Sequence, residues 1–234
     1  MWLKTSYIAL SVIISIVLIA IAFYAINQTE KNRQQSISKK IKIVLGLLLW
    51  HIYTIVLDKI GLMNDFELPP KFAVFLIVPA FLFTGFFLYS NRNQPWIQNI
   101  PTQWLIFYQS FRILIELLFV YSVTAGILHP NVTIEGYNYD MVFGFTAIVI
   151  GLLFVKNKIS KKMLLWWNYL GLTIIAFIIF LFVTTIYAPQ FYGLAGPLMP
   201  IDFTFYPYIL VPGFLMPSAV FVHVLSIVQL RKKK

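Results

Sequence analysis

The sequence predicts an all-α membrane protein, a bundle of seven transmembrane helices with its N-terminus outside and its C-terminus inside. Three observations predict it. Of 234 residues, 60% are hydrophobic, 18% aromatic and only 11% charged, with a mean hydropathy of +0.82, too apolar for a soluble domain. The apolar residues gather into seven runs, each near the roughly 20 residues that cross about 30 Å of hydrocarbon. Basic residues crowd alternate connections between those runs.

The first run, residues 6–26, holds no charged side chain. Ala20-Ile21-Ala22 resembles a signal-peptide cleavage site, but the run exceeds the roughly 7–15 residues of a signal-peptide core. Lys31, Arg33, Lys39 and Lys40 follow it and read as an anchor. The second run, 42–62, carries His51, Thr54 and Asp58 at i, i+3 and i+7, one polar face of a helix. The third, 72–90, is uncharged and interrupted by Pro79. The fourth, 103–128, carries Gln109, Arg112 and Glu116 at the same spacing. The fifth, 141–156, is short and leaves room for a start before Asp140.

The sixth run, 163–187, has Trp166 and Trp167 where an interfacial aromatic belt is expected, and Asn168 beside them. The seventh, 208–230, contains Pro212 and Pro217, a plausible hinge or pocket wall, followed by His223 and Gln229. The connection before it, Tyr187 to Pro207, is aromatic and includes Pro189, Pro197, Pro200 and Pro207. It reads as a lid or as part of the aromatic belt. No stretch outside the spans exceeds about 20 residues, so residues 1–234 form a single transmembrane domain.

Orientation follows from charge. Connections 27–41, 91–102 and 157–162, with Lys42, Lys156 and the tail Arg231 to Lys234, hold 14 of the 18 Lys and Arg residues. These segments are expected in the cytoplasm. The other side has Lys4, Lys59 and Lys71 but collects Asp58, Asp65, Glu67, Glu135, Asp140 and Asp202. The net charge of +10 therefore reports topology and lipid headgroups rather than nucleic acid. Membrane lipids, a small-molecule ligand and a protein partner at the cytoplasmic loops are the expected partners.

Cysteine is absent, which excludes disulfides, thiolate metal sites and a Cys nucleophile. A retinal Schiff base is excluded because Lys232, Lys233 and Lys234 lie beyond the last span. Catalytic zinc would need three protein ligands, and His129 is remote from His51 and His223, so no metal site is expected.

Arg112 and Glu116 carry the candidate site. A charge at the bilayer centre costs from about 3 to over 10 kcal/mol, so such residues pair, face the interior and mark functional positions. Their spacing of four allows a direct pair. At about 1.5 Å per residue from the cytoplasmic edge, Arg112 and His51 lie roughly 13 Å deep, His223 roughly 10 Å and Glu116 roughly 20 Å. The polar stripes of the second and fourth spans are expected to face a common interior with His223 and Asn168. Glu135, Asn138 and Asp140 line the outer mouth of the fifth span, where Asp140 reads as an N-cap or a ligand contact.

The ligand-binding set is therefore Arg112, Glu116, Gln109, His51, His223, Asn168, Asn138, Asp140 and Glu135. No cofactor is expected; a b-type haem held by His51 and His223 is the alternative.

Phe111-Arg112 with Glu116, the run Glu135 to Asp140 with Gly144, Trp167-Asn168 with Gly171-Leu172, and Pro212 to Pro217 through His223 to Gln229-Leu230 carry a family resemblance. Across residues 104–230 the chain resembles a family of small bacterial seven-helix inner-membrane proteins without an assigned biochemical activity. The resemblance implies residence in a bacterial inner membrane and no catalytic role. The leading functional expectation is a small ligand bound in an interior, outward-opening pocket for sensing or transport. The alternatives are an intramembrane enzyme or haem-type redox protein, and a scaffold subunit of a membrane complex.

Overall fold

The computed structural model describes residues 2–196 and 198–232, so Pro197, Lys233 and Lys234 lie outside the described residues. Among those described, all regular structure is helical. Helix α1 spans Trp2–Thr29 and α2 spans Arg33–Lys59, with the Asn32 side chain capping the latter through the amides of Gln34 and Gln35. A π-helical segment, Ala73–Ile77, runs into α3, Val78–Asn91. The short α4, Pro95–Asn99, turns the chain into α5, Thr102–Tyr108, and α6, Phe111–Thr124. Then come α7, Asp140–Val155, and α8, Lys161–Tyr187. A second π segment, Val211–Leu215, leads into α9, Met216–Lys232.

Six of these helical stretches are long and apolar enough to cross a membrane, which makes the chain a multi-pass helical membrane protein. Its outside carries many large apolar side chains: Ile16, Leu49, Phe83 and Phe86 are all exposed, as a lipid-facing surface requires. The fifth run forms α7, only 16 residues and roughly 24 Å long at 1.5 Å per residue.

Helix α2 begins nine residues before its expected span, inside the basic connection 27–41, and the fourth and fifth spans also differ from expectation. The fourth span is not one helix over 103–128, because it breaks at Gln109–Ser110 and ends at Thr124. At the break the amides of Gln109 and Ser110 bond carbonyls three residues back, and Ser110 Oγ donates to the Phe107 carbonyl at 2.8 Å. A serine that competes for the backbone in this way loosens a helix. Helix α7 does not start before Asp140; the chain reaches it through a non-helical loop containing one 3-10 turn, Pro130–Val132.

Gly144 explains where α7 sits. A Cβ there would lie 2.8 Å from Ile113 Cγ1 and 3.5 Å from Arg112 Cβ, so only glycine lets α7 approach α6 so closely. Asp140, one turn earlier, therefore begins α7 beside the middle of α6 rather than at its end. The loop ahead of it is sunk into the bundle, with Val132, Thr133 and Asn138 buried. Helix α7 packs along α5 and α6, α8 along α9, and α5 also reaches α9, so these helices enclose one interior.

Prolines shape the other wall. Pro217 cannot donate to the Gly213 carbonyl four residues back, and Pro79 cannot donate to that of Phe75. Trp50 Nε1 donates to the Gly213 carbonyl at 2.7 Å, and Tyr53 Oη donates to the Phe75 carbonyl at 2.9 Å. Two residues one turn apart on α2 thus satisfy both freed carbonyls, and the two π segments pack against each other.

Candidate functional site

Arg112 is 1% exposed and Glu116 is fully buried, as their apolar surroundings imply. They do not form the expected direct pair. Arg112 Nη2 forms its ion pair with Asp140, at the first turn of α7. There the amide dipoles of the helix favour a carboxylate. The guanidinium also lies 4.4 Å above the centre of the Phe143 ring, within cation–π range. Phe143 stacks in turn on Trp167 at 4.8 Å and 13°. Trp167 Nε1 donates to Thr146 Oγ1 at 3.0 Å, so Trp167 is an interior residue rather than an interfacial anchor, whereas Trp166 is exposed.

Glu116 Oε1 accepts a hydrogen bond from Asn138 Nδ2. The same amide nitrogen donates to the Val132 carbonyl at 3.0 Å, and Asn138 Oδ1 accepts from the Asp140 amide at 2.9 Å. Asn138 thus ties the carboxyl of α6 to the sunken loop and to the start of α7. Asp140 resolves as the partner of Arg112. Glu135 is exposed, its amide bonded to Thr133 Oγ1 within the loop, and it contributes no contact to the cluster.

On the opposite flank, Arg112 Nη1 approaches His223 Nε2 at 3.4 Å, and His223 Nδ1 lies 2.9 Å from Asn168 Oδ1. Asn168 Nδ2 donates to the Leu164 carbonyl, which orients the amide with its oxygen toward the imidazole. Arg112 can only donate, so Nε2 accepts and Nδ1 carries the proton, which fixes a neutral tautomer. Gly171 makes room for this ring, since a Cβ there would lie 2.4 Å from it. Gln109 Nε2 donates to the Ala219 carbonyl at 3.1 Å, one turn from His223 on α9, and adjoins the same interior.

His51 does not join the cluster. Its Nε2 bonds Ser15 Oγ at 3.0 Å and its ring packs on Phe214 at 4.5 Å. Thr54 bonds its own helix, and Asp58 accepts the Tyr206 amide at 3.2 Å. The polar stripe of α2 therefore faces α1 and the segment around α9, not Arg112. With both nitrogens of His223 turned to Arg112 and Asn168, these residues do not fit a haem bridged by His51 and His223. Among the described residues no three His, Asp or Glu side chains come together as a metal site. Gln229, joined to Thr102 and to the carbonyls of Ile97 and Ile100, ties the α4–α5 turn to α9.

A cavity of ≈ 70 Å³ adjoins the cluster, with Arg112, Asn138 and Asp140 at its polar end and Phe119, Phe182 and Tyr208 in its apolar wall. That volume has room for a few water molecules at roughly 10–15 Å³ each. The π segments contribute Ile77 and Pro212 to its lining. Arg112 Nε has no hydrogen-bond partner among the described residues. The arrangement can offer an N–H donor and a carboxylate to a small polar group while excluding bulk water.

Sequence reasoning missed Phe143, Thr146 and the α2 donors Trp50 and Tyr53. The available signal for the last two was Pro79 and Pro217, each of which leaves a carbonyl needing a donor in an apolar setting. Comparison of the chain with family models, curated proteins and solved structures found no match. Fold and site together define a polytopic helical membrane protein with a buried, charge-bearing interior site.

Proposed function

We propose that the chain binds a small solute in the cavity beside Arg112 and Asp140, with transport favoured over sensing. One observation carries this reading: the buried charged cluster borders a cavity whose surroundings include a broken helix, a recessed helix and two π segments. Irregular backbone is tolerated at membrane depth only where protein or a cavity covers it, and discontinuous helices are characteristic of transporter binding sites. The cavity is small, so a solute larger than a few heavy atoms enters only after the 129–139 loop moves.

The reading takes α7 with its sunken loop as a seventh crossing, the N-terminus as outside, and the membrane as a bacterial inner membrane. The clustered basic residues support the orientation, and the family resemblance over 104–230 supports the membrane. The loop then closes the outward mouth of the cavity.

The test is thermal unfolding of the protein in lipid nanodiscs against a panel of small inorganic and organic solutes. A solute that raises the wild-type melting temperature is expected to lose its effect in the Arg112→Met/Asp140→Leu double variant. That variant replaces a buried ion pair by apolar groups and is expected to keep its fold. A panel without any wild-type response, or an equal response in the double variant, overturns the reading.

A further inference from the structure

Glu116 is the ionisable group that solute binding at Arg112 and Asp140 leaves without a role. The groups around it can be named element by element. Arg112 precedes it by one turn on α6, and its guanidinium is paired with Asp140 of α7. Tyr7 of α1 lies within electrostatic reach and bonds Ser122 Oγ at 2.8 Å, with Tyr208 beyond it. The sunken loop supplies Asn138 and the backbone of Ile134. His223 is neutral in its Arg112-bonded tautomer. Arg112 and Asp140 cancel, so an ionised Glu116 leaves the buried cluster with one unbalanced negative charge. Uncompensated buried charge is costly, and the proton is the smallest cation that removes it.

We propose that Glu116 is a proton-binding site that controls the 129–139 loop through Asn138, making the proton a second ligand of the solute site inferred above. The amide of Asn138 joins the carboxyl to both the Val132 carbonyl and the Asp140 amide, so the loop and the start of α7 respond together. With Glu116 protonated, the cluster is charge-balanced and the loop stays buried. With Glu116 ionised, the charge gains solvation by admitting water, and the shortest route lies through the loop, beside exposed Glu135, Tyr137 and Tyr139. Raising pH therefore opens the loop and lowering pH closes it.

His129 at the base of the loop also titrates, with burial holding its pKa below the ordinary imidazole value. The experiment must separate the two groups. Amide hydrogen exchange of residues 129–140 is measured in nanodiscs from acid to alkaline pH and expressed as protection relative to intrinsic chemical exchange. Wild-type protection is expected to fall by about tenfold or more as pH rises, tenfold being what one pKa unit of coupling produces. Glu116→Gln is expected to stay protected throughout, and His129→Gln to retain the wild-type response. Glu116→Met serves the same purpose if the glutamine variant does not fold. A pH-independent wild-type loop, or a response that survives removal of the Glu116 carboxyl, overturns the proposal. The measurement needs no solute, so a failed proton site and a failed solute site give different results.

Discussion

Arg112 reaches across to Asp140 instead of along its own helix to Glu116, and local geometry explains the choice. An Arg that precedes a Glu by four residues is in the weaker of the two orientations for a helical pair. Gly144 meanwhile brings the first turn of α7 against the Arg112 side chain, where Asp140 is favoured by the helix dipole. Asp140→Asn would leave a buried guanidinium without its counter-charge, so it is expected to destabilise the protein by about 3–5 kcal/mol. Arg112→Met/Asp140→Leu is expected to recover most of that loss. Denaturant unfolding of the three proteins in one detergent checks both expectations. A single variant as stable as wild type would show that the pair contributes nothing to the fold.

Among the elements, α2 has the least buried surface among the candidate membrane spans, yet it supplies donors to both proline-freed carbonyls. A buried carbonyl without a donor costs about 1–3 kcal/mol, so Trp50→Phe is expected to lower stability by that amount. Tyr53→Phe is expected to cost a similar amount, because the exposed Phe75 carbonyl lies in a membrane span where lipid offers no replacement donor. The same pair of variants measured by hydrogen exchange should loosen residues 211–217 for Trp50→Phe and 73–78 for Tyr53→Phe. Loosening confined to α2 itself would contradict the assigned donor–acceptor pairs. Six spanning helices were legible in the sequence because apolar length alone specifies such a helix, whereas the fifth run forms a 16-residue helix that length does not decide. The break at Gln109–Ser110 and the two π segments were not. They depend on which donor reaches a freed carbonyl, and that is a property of packing between helices rather than of local sequence.

At the scale of the whole molecule, Arg112 and Glu116 were identifiable as interior residues because no other position relieves their cost in an apolar span. His223 followed from depth, and Asn168 from the expectation that polar residues of the spans face one interior. His51 was misplaced because depth says nothing about helix order around the bundle, and α2 turns its polar face to α1. Orientation rests on basic residues alone and is open to a direct test, since the absence of cysteine allows single-cysteine labelling without a background. Glu135→Cys lies in an exposed part of the loop before α7, and Lys158→Cys lies in the basic turn after it. If the basic connections are cytoplasmic, an impermeant maleimide added to intact cells labels the former and not the latter, which reacts only after permeabilisation. Labelling of both in intact cells would mean that α7 and its loop do not cross the membrane. The reverse pattern would invert the bundle and put the 129–139 loop, with any solute entry it controls, on the cytoplasmic side.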